Sequence, residues 1–98
     1  MGPPYLEHPV KLSFPNPSRN FDATKNRVQF WGYLQSFEIS FYVDAAILMK
    51  LQPGSENNKE GILSAFDAFA EKIRTIADAE YLRSKSRASS YNLPVSAF

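Results

Sequence analysis

From Arg27 to Asp44 the chain reads RVQFWGYLQSFEISFYVD. Val28, Phe30, Phe37, Ile39 and Phe41 recur at every second position of two runs, the period of side chains on one face of a β-strand. Trp31, Tyr33 and Tyr42 take the alternate positions together with Arg27 and Glu38, so the expected hairpin has a second aromatic face. A turn centred on Leu34 and Gln35 pairs Gly32 with Phe37, Trp31 with Glu38, Phe30 with Ile39 and Arg27 with Tyr42, and every pair then joins residues of one face. In that register the Phe37 ring covers the backbone that Gly32 leaves bare. Leu-Gln lacks the favoured Asn-Gly turn chemistry, so a wider loop is expected.

Before the hairpin, Val10, Leu12 and Phe14 alternate with Lys11 and Ser13, and Pro15 and Pro17 end that extended piece because proline cannot donate to a β-ladder. Ser18 to Asp22 reads as a second extended piece, turning back through Ala23 to Asn26 with Asn26 at positive φ and Phe21 beside Val28 and Phe30. After Val43 the period changes. Asp44 is a good N-cap for a short helix from Ala45 to about Leu51, which Pro53-Gly54 ends. Asn57 with Glu60 reads as the capping box of a long helix to about Ser84. Its stripe is Ile62, Phe66, Phe69, Ile73, Ile76 and Glu80, widened by Leu63, Ala70, Ala77 and Tyr81. Tyr91 and Leu93 suit a last strand before Pro94. The pattern predicts an α+β fold: an antiparallel sheet of three to five strands, with a short helix and one long C-terminal helix packed on one face. Residues 1–9 are expected to be a loosely ordered lead-in and residues 10–98 a single compact domain.

Composition narrows the possibilities. The 98 residues are 44% hydrophobic, enough for one modest core. Eleven basic and ten acidic side chains give a formal charge of +1, without the long-range positive field of a committed nucleic-acid binder. Cysteine is absent, which removes disulfide scaffolds, thiolate zinc sites and thiol catalysis. MGPPYLEHPV lacks a basic segment followed by an apolar run, so it does not read as a secretory signal. No apolar run approaches the roughly 20 residues that span a bilayer. A soluble, cytoplasmic protein that does not engage membranes is expected.

Candidate chemistry is sparse. His8 is the single histidine, next to Pro9 in the lead-in, with no group nearby to hold it as a base or metal ligand. The four glycines are scattered and form no phosphate loop. Glu38, mid-strand beside Trp31 in the expected register, would have a raised pKa if the indole desolvated it; a half-exposed strand charge is the plainer account. Arg83, Lys85 and Arg87 in LRSKSRASSYNL form the best basic patch, a candidate anion or nucleic-acid contact, although cations there also stabilise a helix C-terminus. The face of Arg27, Trp31, Tyr33, Glu38 and Tyr42 is the leading candidate site. Trp, Tyr and Arg are enriched at protein interfaces, and aromatics on a sheet also stack the bases of single strands. Alternatively, the lead-in or the C-terminal tail folds over these rings.

The stretches LSFPNPSRNFD, RVQFWGYLQSFEISFYVD, the LQPG break and the closing SSYNLPVSAF resemble a family of small bacterial proteins called domain of unknown function 1488. The most specific parts are Phe14 to Arg19, Phe21 with Asp22, and Glu38, Ile39 and Phe41. The resemblance implies a compact bacterial α+β domain and supplies no catalytic residue, and the Tyr33, Leu34 and Gln35 turn is unusual for it. The sequence therefore points to a non-enzymatic interaction or regulatory domain, without cofactor or metal, that binds another protein or a second copy of itself through the aromatic face. The alternatives are single-stranded nucleic-acid binding through Trp31, Tyr33, Tyr42 and the basic C-terminal segment, and a small apolar ligand held between helix and sheet near Phe41, Phe66 and Phe69.

Overall fold

A computed structural model describes residues 12–84 and 88–98. Strands β1 (Arg19–Asp22), β2 (Arg27–Leu34) and β3 (Phe37–Asp44) come first, then helices α1 (Ala45–Leu51), α2 (Lys59–Ala68) and α3 (Ala70–Arg83), and finally strand β4 (Ser90–Asn92). The sheet order is β1-β2-β3-β4, with antiparallel pairing except between β3 and β4, which run parallel. The fold is α+β as the pattern implied, with a mixed sheet. Parallel neighbours need a long crossover, and the three helices between β3 and β4 provide it.

One face of the sheet carries the core. Val28, Phe30, Ile39, Phe41 and Val43 are buried with Leu48 of α1, Ile62 and Phe66 of α2, and Ile73, Ala77 and Tyr81 of α3. The Phe30 ring lies 5.3 Å from that of Phe66 and 5.4 Å from that of Phe41, and Tyr91 of β4 links Phe41 to Tyr81 at 5.7 and 5.6 Å. Centroid separations of this size are those of favourable aromatic pairs. Trp31, Tyr33 and Tyr42 belong neither to this core nor to the partly buried residues packed against it.

The expected hairpin register is corrected by two residues. Leu34 pairs with Phe37, Gly32 with Ile39, Trp31 with Ser40, Tyr33 with Glu38 and Arg27 with Asp44. The connection is a tight turn rather than a wide loop, with Gln35 at φ 56°. Moving by two keeps every side chain on its face. Phe37 consequently does not cover Gly32; it stands 70% exposed at the hairpin tip. Phe14 covers Gly32 instead, so closely that a Cβ there would lie 2.8 Å from its ring. Ser13 exchanges two backbone hydrogen bonds with Tyr33, which lays Phe14 over the glycine. This isolated bridge is what forms of the expected Val10 to Phe14 strand among the described residues, and Val10 itself lies outside them.

The single long helix is also corrected. Phe69, at φ −116° and ψ 20°, interrupts it and separates α2 from α3. No proline or glycine stands at the break. Asn58 rather than Asn57 is the N-cap, its side chain accepting from the Gly61 N–H at 2.8 Å. Gly61 thereby occupies the N3 position, where a Cβ would sit 2.0 Å from the Glu56 carbonyl oxygen. Asp44 precedes α1 without a side-chain capping bond, and the Ala45 N–H donates to the Asn26 carbonyl. Asn26 takes the expected positive φ, at 52°, and Phe21 pairs with Val28 as expected.

Gly32→Ala is expected to cost about 1–3 kcal/mol through overpacking against Phe14, read as a lower urea midpoint. The cost should shrink when Phe14 is already leucine. An equal cost in both backgrounds would show that Phe14 is not the obstacle.

Candidate outer-face site

The alternate residues of β2 and β3 form the sheet face turned away from the core. Arg27 anchors one end. Its Nε donates to Asp22 Oδ2 of β1 at 3.2 Å, its Nη1 donates to Asn92 Oδ1 of β4 at 3.0 Å, and its guanidinium lies 3.7 Å from the centroid of the Tyr42 ring of β3. One planar cation thus ties all four strands together, using the fork geometry and flat face that distinguish arginine from lysine. Asp22 is fixed in turn: its Oδ1 accepts the Thr24 and Lys25 N–H groups of the β1–β2 turn. Burial pushes the Asp22 carboxyl up, but hydrogen bonds from the Lys25 backbone and Arg27 outweigh it and hold the group below its ordinary value.

In the middle of the face, Gln29 Nε2 donates to Ser40 Oγ at 3.3 Å and to Tyr42 Oη at 3.2 Å. At the hairpin end, Tyr33 Oη donates to Glu38 Oε2 at 2.6 Å. The carboxylate acceptor stabilises the neutral phenol, so the Tyr33 pKa is raised. Glu38 therefore stands opposite Tyr33 and not opposite Trp31, a correction of the expected pair. Trp31 faces Ser40 across the strands and is half-buried. It takes no part in this network.

The five expected residues of the face do share one side of the sheet, and sequence reasoning missed the polar partners Asp22, Gln29, Ser40 and Asn92. Side-chain parity would have placed all four there; their bonds carry no sequence signal. The C-terminal tail does not lie over the rings. It adds β4 to the edge of β3, with Tyr91 on the core side and the Leu93 N–H donating to the Tyr42 carbonyl. Of the basic patch, Arg83 pairs with Glu80 one turn earlier on α3, while Lys85 and Arg87 lie outside the described residues, as do His8 and the lead-in.

Two cavities open elsewhere. One of about 350 Å³ lies at the hairpin tip between Phe37, Ile39, Tyr81 and Ala88, and one of about 300 Å³ lies between Ile47, Leu51, Val95 and Phe98. Neither is the expected space near Phe66 and Phe41, both of which are buried against Phe30. No group of three or more potential metal ligands occurs among the described residues, and none of their helices is long and apolar enough to cross a membrane.

A family model described as Protein of unknown function (DUF1488) matches residues 12–93. The chain belongs to this family. A crystal structure of a protein of unknown function from the same family, from Shewanella loihica PV-4, is similar in fold, with a TM-score of 0.67 and 20% sequence identity over 84% of this chain and 92% of that one. No curated protein matches. The match spans β1 through β4, including both the Phe14 to Asp22 element and the outer face.

A depressed carboxyl pKa contributes stability above the unfolded value, near 3.8, and that contribution is lost as pH falls through the folded value. Asp22→Asn is therefore expected to be less stable than the wild type at neutral pH, with the gap closing below about pH 4. Urea midpoints measured from pH 2 to 7 check this, and a gap that stays constant with pH would contradict it.

Proposed function

We propose that the chain acts by binding, as a protein-interaction domain without catalytic activity, and that the outer sheet face is its contact surface. The observation that carries this reading is the position of Trp31. The core and all three helices lie on the opposite face, yet this large ring stands with Tyr33 and Tyr42 on the outer side, half-buried and outside the hydrophobic core cluster. A tryptophan in such a place supplies rigid apolar area at small entropic cost, the property that makes it a frequent interface anchor. The network around it fixes the neighbouring rings, so little ordering is left for a partner to impose.

Nucleic-acid binding receives less support. The Arg27 guanidinium is engaged by Asp22, Asn92 and Tyr42, and Glu38 and Asp44 add negative charge to the same face. The partner is accordingly another protein or a second copy of the chain.

Light scattering over a wide concentration range tests self-association, and co-purification from a native extract, followed by amide exchange on the recovered complex, tests a different partner. Truncating an aromatic anchor costs about 2 kcal/mol or more, so Trp31→Ala should weaken association about 30-fold. Protection of β2 and β3 in the complex is expected. A complex that is unaffected by Trp31→Ala, or a chain that stays monomeric and partnerless, would defeat the reading.

A further inference from the structure

We propose that the outer face receives an arginine or lysine side chain of its protein partner, seated on the Trp31 indole with Glu38 as counter-charge; this rests on the interaction reading above and names the chemistry of the partner. The face already shows the pairing it would use. At one end the Arg27 guanidinium lies 3.7 Å from the centre of the Tyr42 ring. Two residues along β2 from Gln29, Trp31 offers the better ring for a cation, and no described cation of the chain lies over it. The charges agree. Asp22, Glu38 and Asp44 occupy outer-face strand positions against one cation, Arg27, which Asp22 neutralises. What remains is the negative charge of Glu38 and Asp44, both exposed.

Glu38 is well placed to add to the ring. It pairs with Tyr33, whereas Trp31 pairs with Ser40, so Glu38 and Trp31 are diagonal neighbours across the two strands. Diagonal side chains on one face are about 7–8 Å apart at the backbone, within reach of a single long side chain. Tyr33 holds one carboxylate oxygen, Oε2, and so restricts the rotamer without consuming the group's acceptor capacity. A cation on Trp31 would therefore meet a π-face below and a carboxylate beside it. A phosphate would meet repulsion at the same spot, so the charge balance selects a basic protein segment over a nucleic acid.

Trp31 is the single tryptophan of the chain, so its fluorescence reports on this site directly. The full chain would be titrated with a seven-residue arginine peptide, a glycine-serine peptide of equal length, and a ten-residue oligothymidine. A saturable emission change is expected with the arginine peptide alone, weakening steeply with salt. Affinity should fall about tenfold in Glu38→Gln and stay unchanged in Glu71→Gln, a carboxylate on α3. Calorimetry with Trp31→Ala should show no binding, and Trp31→Phe should retain a weaker form of it. Equal affinity for Glu38→Gln and wild type, no response to the arginine peptide, or binding of the oligothymidine instead would overturn the proposal. If the peptide fails to bind while Trp31-dependent protein association persists, the partner's chemistry is wrong and the interaction reading stands. If both fail, both are wrong.

Discussion

The ring of Phe30 is where the layers of the molecule meet. Phe41 lies against it within the sheet, Phe66 reaches it from α2, and Phe14 approaches from the segment before β1, at centroid distances of 5.4, 5.3 and 6.3 Å. Each such residue removes a large apolar area from water on folding, and together they fix how the helices sit on the sheet. Phe14 also explains the glycine beside it. Its ring occupies the space that a side chain at position 32 would need, so the sheet and the segment crossing it must be built together. Because the helices are committed to this side, the opposite face of β2 and β3 is left to polar and aromatic residues.

The stretch from Phe14 to Asp22, the most specific part of the family resemblance, has a structural reason at each informative position. Asn16 accepts the Ser18 N–H at 3.0 Å, an Asx turn that redirects the chain between two prolines. Arg19 makes a two-pronged hydrogen bond to Asp67 of α2, tying the edge strand to the helix layer and raising the arginine pKa. That pair is substantially exposed, so its worth is in orientation more than in stability. Phe21 packs on the core, and Asp22 organises the next turn and holds Arg27. These roles build the fold and the anchored end of the outer face; none requires a substrate.

Much of this was legible from periodicity alone. Alternation separated the two faces of the hairpin correctly, and the change of period after Val43 located α1, expected from Ala45 to about Leu51. The hairpin register was not legible because a two-residue slip conserves every face, leaving only turn chemistry to decide, and Gln35 is an uncommon residue for a positive φ. The interruption at Phe69 was hidden for a related reason. An apolar stripe at steps of three and four reads the same whether one helix carries it or two consecutive helices do. The N-cap shifted to Asn58 because adjacent asparagines offer equal caps, and Gly61 discriminates between them only once the Glu56 carbonyl is known to approach it. Of the outer face, sequence reasoning found the rings and Arg27. It could not find that Arg27 is consumed by Asp22, Asn92 and Tyr42, since those partners come from three different strands.

This distribution of bonds divides the outer face of β2 into two halves. Around Arg27 the guanidinium is engaged by Asp22, Asn92 and the Tyr42 ring, at the end of the face where all four strands meet. Toward the hairpin tip β2 and β3 continue past β1 and past Ser90, the first residue of β4, with only the Ser13 bridge to Tyr33 alongside them. There Tyr33 Oη donates to Glu38, and Trp31 stands between the two halves with hydrogen-bonded neighbours on both sides. The tyrosine hydroxyls of this face have polar partners, Gln29 for Tyr42 and Glu38 for Tyr33, and the Trp31 indole is the one outer-face ring of β2 and β3 that stands outside these bonds.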